Sequence, residues 1–128
     1  MARKKKILII DDEIDLVDLV KLRLESENYY VEPLYTSTRA LEIAKREKPD
    51  LILVDIMMPD KDGFQVCKEL KSDKDTCRIP VILFTAKPEE KEHVRRDYES
   101  AGADDYVMKP FDPVDLFTKI RFLLESKR

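Results

Sequence analysis

Apolar runs and amphipathic segments alternate along the whole chain. Continuous apolar runs occur at residues 7–10, 51–54, 81–84 and 106–108. Runs that do not alternate with polar residues are typical of strands buried on both faces of a parallel sheet. A weaker run at residues 30–35 contains Glu32 and Pro33. Because proline cannot donate to a strand ladder, this run is predicted to form an edge strand.

The segments between these runs predict helices. After the first run, apolar residues recur at helical spacing at Ile14, Val17, Val20 and Leu24, and the stripe is widened by Leu16, Leu19 and Leu22. Ser37 is placed to cap a second helix, which runs to about Glu47 and ends before Pro49. A third helix is predicted to follow the turn-rich residues 59–63 and to end at about Leu70.

Two more helices are predicted in the last third of the chain. Pro88 suits the first turn of a fourth helix, and Gly102 is placed to end that helix in a left-handed conformation. Asp112 and Pro113 are typical of the N-cap and first residue of a fifth helix. Its core-facing stripe is predicted to be Val114, Phe117, Ile120 and Leu124.

Strands and helices therefore alternate strictly, with five of each. This order predicts a doubly wound α/β fold, in which helices cover both faces of one parallel sheet. With the second strand at an edge and strands 1, 3 and 4 central, the favoured strand order is 2-1-3-4-5, which is the flavodoxin-like order. A chain of 128 residues has room for one core, so residues 1–128 are predicted to be a single domain.

Charge and composition exclude several function classes. Charged residues make up 40% of the chain, but the net charge is only −3, so no strong field favours nucleic acid. No apolar stretch could span a membrane, and the N-terminus lacks the apolar region of a signal peptide. We therefore expect a soluble, cytoplasmic protein that binds neither nucleic acid nor membrane directly.

Residues that phosphoryl chemistry can use follow four of the predicted strands. They are Asp11 and Asp12, Asp55, Thr85, and Lys109. The carboxyl ends of parallel strands share one edge of the sheet, where ligands bind, so these side chains should converge. Three carboxylates that lie close together repel one another, and Mg²⁺ is the natural compensation. A carboxylate can also attack phosphorus to form an aspartyl phosphate.

The chain resembles the receiver domain of two-component response regulators, in particular the single-domain chemotaxis regulators. The matching segments are Asp11-Asp12-Glu13, Asp55 with residues 56–63, Phe84-Thr85-Ala86, and residues 102–111. The resemblance spans essentially the whole chain, and the combination of segments is far more specific than any one of them.

The resemblance implies a role for each residue of this set. Asp55 would accept a phosphoryl group from a sensor histidine kinase or a histidine phosphotransfer protein. Asp11, Asp12, Asp55 and the backbone carbonyl of Met57 would hold Mg²⁺, for which Mn²⁺ could substitute. Thr85, Ala86 and Lys109 would bind the phosphoryl oxygens, and Tyr106 would be the switch aromatic. Pro110 is the candidate for a cis peptide bond.

The resemblance also implies how the signal is passed on and ended. Phosphorylation would switch the surface formed by the fourth predicted helix, the fifth strand and the fifth predicted helix, toward a partner or an output domain or into a homodimer. Met57 and Lys87 occupy the two positions that tune the phosphoryl lifetime. Met57 offers no group to orient an attacking water, so we expect slow self-dephosphorylation. Such a protein catalyses its own phosphorylation but is not an enzyme with turnover.

The sequence leaves two other function classes open. One is a Mg²⁺-dependent phosphatase or phosphotransferase of the haloacid dehalogenase type, which has its nucleophile in a DxD pattern after the first strand. Here that position reads Asp11-Asp12-Glu13, and the chain has no residues for a cap domain. The other is a receiver-like binding module that acts without phosphorylation, although all five site residues are present.

Overall fold

Five parallel strands form one sheet in the computed structural model, which describes residues 4–85, 100–109 and 112–126. The strands are β1 Lys6–Ile10, β2 Tyr30–Leu34, β3 Leu51–Asp55, β4 Val81–Thr85 and β5 Asp105–Met108. The helices within the described ranges are α1 Ile14–Ser26, α2 Ala40–Glu47, α3 Gly63–Ser72 and α4 Pro113–Ser126. The predicted helix that begins at Pro88 lies mostly outside the described residues, so α4 is the fifth helix of the prediction.

The strand order is β2-β1-β3-β4-β5, and each neighbouring pair is parallel. This confirms the doubly wound α/β fold and the predicted order. It also confirms that the strand containing Pro33 lies at an edge. Because the chain reverses direction across the sheet between β1 and β3, the carboxyl ends of these two strands flank the switch point where ligands bind.

Side chains of the central strands alternate between two cores, one on each face of the sheet. In β1, Leu8 and Ile10 join the core under α2 and α3, whereas Ile7 and Ile9 join the core under α1 and α4. All four are completely buried, as are the apolar residues of β3. Burial on both faces explains why these strands read as continuous apolar runs in the sequence.

The predicted helix stripes are wrong at their first residues. Ile14 is 58% exposed and Val114 is 71% exposed. The buried stripes are instead Val17, Val20 and Leu24 in α1 and Leu116, Ile120 and Leu124 in α4. Both outliers lie in the first turn of a helix that follows the carboxyl end of a strand, where the helix starts beyond the sheet and has little to pack against. Leu19 and Leu22, predicted to widen the α1 stripe, are also exposed.

The helix ends agree with the prediction except at Ser37. The residue before α2 is Arg39, and its side chain makes no capping hydrogen bond to that helix. Ser37 is instead fully buried and bonds to the loop after β3. The other signals hold: the Asp112 carboxylate accepts from Val114 N at 3.0 Å, and Gly102 has a φ of +83°. Within the described ranges, no helix is long and apolar enough to cross a bilayer.

Candidate functional site

Three carboxylates meet at the carboxyl edge of the sheet. Asp11 directly follows β1 and Asp55 ends β3, and these strands pair with Ile10 opposite Val54. One carboxylate oxygen from each of Asp11, Asp12 and Asp55 lies within 4.8 Å of the other two. Asp11 and Asp55 are buried, whereas Asp12 is exposed. The predicted convergence is therefore present, with two ligands anchored in the core and one at the surface.

Lys109 is the cation of this cluster. Its Nζ lies 2.9 Å from Asp11 Oδ2, 3.4 Å from Asp55 Oδ2 and 2.7 Å from Glu13 Oε1. The backbone N–H of Lys109 also donates to the carbonyl oxygen of Thr85 at 2.6 Å, which holds the ends of β5 and β4 together. Glu13 was not predicted to belong to the site. Because Glu13 directly follows the two predicted metal ligands Asp11 and Asp12, its position in the sequence could have indicated that it belongs to the site.

Burial and charge act against each other on the pKa values of this cluster. Burial raises the pKa of Asp11, and the negative charge of Asp55 adds to this, while hydrogen bonds from the Glu13 N–H and Lys109 partly oppose it. Burial alone would lower the pKa of Lys109, but its hydrogen bonds to Glu13 and Asp11 outweigh that effect and raise it. In the described part of the site, one ammonium group, that of Lys109, faces the four carboxylates of Asp11, Asp12, Glu13 and Asp55.

The residues fit a hard divalent cation. Carboxylate oxygens are the ligands that Mg²⁺ prefers, and a site with a large excess of negative charge is stabilised by its binding. The set contains no imidazole or thiolate that would favour a softer metal. The donor chemistry and the spacing of Asp11, Asp12 and Asp55 therefore agree with the predicted Mg²⁺ site.

The hydroxyl of Thr85 is a buried polar group that lacks a partner among the described residues. Its Oγ1 makes no hydrogen bond to any described residue, although Thr85 is only 1% exposed. Burying a hydroxyl without a partner costs free energy, and such groups in native proteins require an explanation. Because Thr85 ends β4, next to the strand that carries Asp55, an oxygen-rich ligand at this edge would supply the missing partner.

The backbone around Asp55 is tightly constrained. The N–H of Met57 donates to Asp55 Oδ1 at 3.0 Å, and the N–H of Gly63 donates to the Ile56 carbonyl at 3.2 Å. A Cβ at position 63 would lie 2.5 Å from the Asp55 carbonyl oxygen and 2.6 Å from Ile56 Cα. Only glycine permits this close approach. The side chain of Met57 is 55% exposed.

Tyr106 is half-buried and packs against the core under α2 and α3. The Nζ of Lys119 lies 5.8 Å from the centre of its ring and donates to its carbonyl oxygen at 2.9 Å. Ala86, Lys87 and Pro110 lie outside the described residues, so their predicted roles stay predictions.

Comparison with known proteins places this architecture in a family. Residues 7–121 match the family model of the response regulator receiver domain. The chain belongs to this family. The resemblance noted from the sequence is therefore confirmed, and the chain is a receiver domain of the kind found in two-component signalling.

Curated relatives are similar to this receiver domain over almost its whole length. The alkaline phosphatase synthesis transcriptional regulatory protein PhoP of Bacillus subtilis is 41% identical over 120 residues, which is 94% of this chain but 48% of that protein. The response regulator PleD of Caulobacter vibrioides is 42% identical over 122 residues, which is 95% of this chain and 26% of PleD. The chain spans about half, or less, of the length of these relatives.

Solved receiver structures share the fold. A CheY-like response regulator receiver domain protein from Methanospirillum hungatei is 33% identical with a TM-score of 0.87, covering 98% of this chain and 97% of that one. The receiver domain of the sensor histidine kinase PA1611 from Pseudomonas aeruginosa is 26% identical with a TM-score of 0.86, covering 96% and 99%. That structure has a magnesium ion coordinated in its active site cleft.

Proposed function

We propose that Asp55 accepts a phosphoryl group from a phosphohistidine of a sensor kinase or a phosphotransfer protein. The observation that supports this most is the convergence at one sheet edge of a buried carboxylate, an ammonium group and an unpartnered hydroxyl, from Asp55, Lys109 and Thr85. Each of these groups has a defined task in phosphoryl transfer, and their joint presence favours that chemistry over a passive binding role.

The two oxygens of Asp55 are not equivalent in this proposal. Oδ1 already accepts a hydrogen bond from the Met57 N–H, whereas Oδ2 lies 3.4 Å from Lys109 Nζ. We assign Oδ2 as the attacking oxygen. A bond forms between Oδ2 and phosphorus while the bond between phosphorus and the donor histidine nitrogen breaks, and the nitrogen keeps the electron pair. Lys109 then neutralises charge on the phosphoryl oxygens.

Asp11, Asp12, Asp55 and the Met57 carbonyl would hold Mg²⁺, which when bound supplies positive charge for the phosphoryl oxygens. The Thr85 hydroxyl would donate to a phosphoryl oxygen and so gain the partner that it lacks. Because Lys109 N is bonded to the Thr85 carbonyl, a movement at the end of β4 would be transmitted to β5 and Tyr106.

The readout surface in this proposal includes β5 and α4, together with the helix predicted before β5. Phosphorylation would shift this surface between two pre-existing arrangements and so change its affinity for a partner, an output domain or a second copy. PhoP is a transcriptional regulatory protein about twice as long as this chain, so an attached output domain is one form of that partner. The receiver domain itself would not contact nucleic acid.

We also propose that the aspartyl phosphate decays slowly without help from a partner. The side chain of Met57 stands two residues after Asp55 and offers no polar group to position an attacking water. Met57→Asn should therefore accelerate decay. A decay rate that is unchanged or lower in this variant would contradict the proposal.

Intact mass spectrometry after incubation with acetyl phosphate tests the acceptor role. The expected result is one phosphoryl adduct that requires Mg²⁺ and is absent from Asp55→Asn. Steady hydrolysis of a small phosphoester would instead favour the phosphatase class. Absence of an adduct would favour a receiver-like binding module.

A further inference from the structure

A second acidic residue of the loop after β3 is held in an unusually complete set of hydrogen bonds. Oδ2 of Asp60 accepts from the Thr36 hydroxyl at 2.5 Å, from Ser37 N at 2.9 Å and from Thr38 N at 3.1 Å. Oδ1 of Asp60 accepts from the Ser37 hydroxyl at 2.6 Å. One carboxylate thus satisfies two hydroxyls and two backbone N–H groups of a different loop. We call this set the Asp60 clamp.

The Asp60 clamp joins the loops that follow β2 and β3. Ser37 is fully buried, and its hydroxyl also lies 2.7 Å from the carbonyl oxygen of Lys61. Its single proton is shared between two acceptors of the same loop, so the contact holds that loop whichever acceptor takes it. Hydrogen bonds to an ionised carboxylate are stronger than neutral ones. The clamp is therefore a stiff link, although the Asp60 residue itself is exposed.

The last residue of β2, directly before this segment, is hydrogen-bonded to the residue that follows β1. The N–H of Asp11 donates to the carbonyl oxygen of Leu34 at 3.0 Å. Residues 34–38 therefore contact both sides of the site: Asp11 on one side, through its backbone, and the loop after Asp55 on the other, through Asp60. They connect the two halves of the site without supplying a ligand.

The loop held by the clamp is the loop that shapes the acceptor. The two ends of this loop meet at its base, where the Gly63 N–H donates to the Ile56 carbonyl oxygen. Next to this base, the Met57 N–H donates to Asp55 Oδ1. The side chain of Met57 is exposed, so its backbone is positioned by this hydrogen bond, by the buried neighbours Ile56 and Met58, and by the contacts of the rest of the loop. The Asp60 clamp lies three residues further on, at the part of the loop farthest from that base.

From these contacts we propose that Asp60 is a positioning residue for the metal and acceptor site. It holds residues 56–61 against residues 34–38 and so sets the separation between Asp11 and the Met57 backbone. This inference rests on the proposed phosphoacceptor function and adds to it the residue that keeps the site assembled before a ligand binds. Outer residues that orient metal ligands typically change metal affinity by about 10-fold or more when they are removed.

The test compares Asp60→Asn with wild type and with Thr76→Val. The asparagine variant keeps the size of the side chain but turns one acceptor oxygen into a donor that faces other donors. Thr76 is a matched control because its buried hydroxyl donates to the Leu70 carbonyl at 2.6 Å. It lies in the loop before β4, at the amino ends of the strands and away from the site. Its loss should lower stability without altering the site.

Two readouts avoid dependence on phosphorylation. The first is the Mg²⁺ dissociation constant by titration calorimetry, which should rise about 10-fold in Asp60→Asn and stay unchanged in Thr76→Val. The second is hydrogen exchange at the Met57 amide in metal-free protein. This exchange should accelerate in Asp60→Asn by more than the change in global stability explains, and only in step with global stability in Thr76→Val.

The outcomes separate this inference from the proposed function. If wild type binds Mg²⁺ and Asp60→Asn has the same affinity and the same Met57 exchange, the inference is overturned and the phosphoacceptor function stands. If both variants weaken Mg²⁺ binding equally, Asp60 contributes only stability and the inference is again overturned. If wild type does not bind Mg²⁺, both the function and the inference are contradicted.

Discussion

Lys109 Nζ lies 2.9 Å from Asp11 Oδ2, although the two residues are 98 positions apart in the chain. Asp11 is completely buried, so this contact places a cation beside a carboxylate that water cannot reach. In the metal-free protein, Lys109 is the main compensation for the charge of Asp11 and Asp55 among the described residues. This contact therefore offsets part of the repulsion between the carboxylates before a ligand binds.

Replacement of Lys109 by methionine should destabilise the metal-free protein. Removing one partner of a buried ion pair leaves an uncompensated charge, which costs about 3 kcal/mol. Mg²⁺ should raise the unfolding free energy of this variant by more than that of wild type. Without Lys109, the described side chains of the site carry no positive charge, so bound Mg²⁺ alone would compensate the carboxylates. Chemical denaturation with and without Mg²⁺ measures both effects. Lys45→Met, which loses exposed ion pairs to Asp73 and Asp75, is the control and should change little.

Replacement of Gly63 by alanine should damage the site, whereas replacement of Gly102 should not. A Cβ at position 63 would meet the backbone of Asp55 and Ile56, which must move. At position 102 the nearest atom is 3.4 Å away, and the φ of +83° costs an alanine about 1 kcal/mol. Thermal unfolding and Mg²⁺ titration of both variants test this. Equal Mg²⁺ affinities in the two variants would contradict the role assigned to Gly63.

Replacement of Thr85 by valine should leave the metal-free protein about as stable as wild type. The Thr85 hydroxyl has no partner among the described residues, so its replacement by a methyl group breaks no hydrogen bond. The replacement also removes the cost of burying an unpaired hydroxyl. Binding of a phosphoryl analogue such as beryllofluoride should nevertheless weaken by about 10-fold, the loss expected for about one hydrogen bond to a charged group. Thermal shifts with and without the analogue measure both quantities, and a large loss of stability in the metal-free protein would mean that Thr85 already has a partner.

The Asp60 clamp should make stability depend on pH in the acid range. Hydrogen bonds from the Ser37 and Thr36 hydroxyls hold the pKa of Asp60 well below its usual value of 3.8. A depressed pKa in the folded state means that the clamp contributes fully above pH 3.8 and loses its contribution as the pH falls further. The difference in unfolding free energy between wild type and Asp60→Asn should therefore be constant above about pH 5 and shrink below about pH 4. A difference that stays constant down to pH 3 would contradict the clamp.

The sheet and the residues at its carboxyl edge could be predicted because short stretches of sequence indicate both. Buried strands read as continuous apolar runs, and the residue directly after each run must lie at the carboxyl edge once the strands are parallel. Asp11, Asp55 and Lys109 were expected to converge for this reason, and the structure brings them together. Thr85 ends β4 at the same edge of the sheet.

Other features could not be predicted because they depend on where an element ends in space. Ile14 and Val114 continue the helical stripes in sequence but are exposed in the first turns of their helices. Ser37 matches a helix cap by type and position, yet the Asp60 carboxylate competes for its hydroxyl from 23 positions away. A pairing between two loops leaves no periodic trace in a single sequence, so the Asp60 clamp required the structure.

Chemical mapping of the acceptor tests the central claim most directly. The protein is phosphorylated with acetyl phosphate and Mg²⁺ and treated with borohydride, which reduces an aspartyl phosphate to homoserine, and its peptides are sequenced by tandem mass spectrometry. We predict homoserine at position 55 and nowhere else, and none when Mg²⁺ is omitted. Homoserine at Asp11 or Asp12, or its absence from position 55 in a protein that carries a phosphoryl adduct, would contradict it.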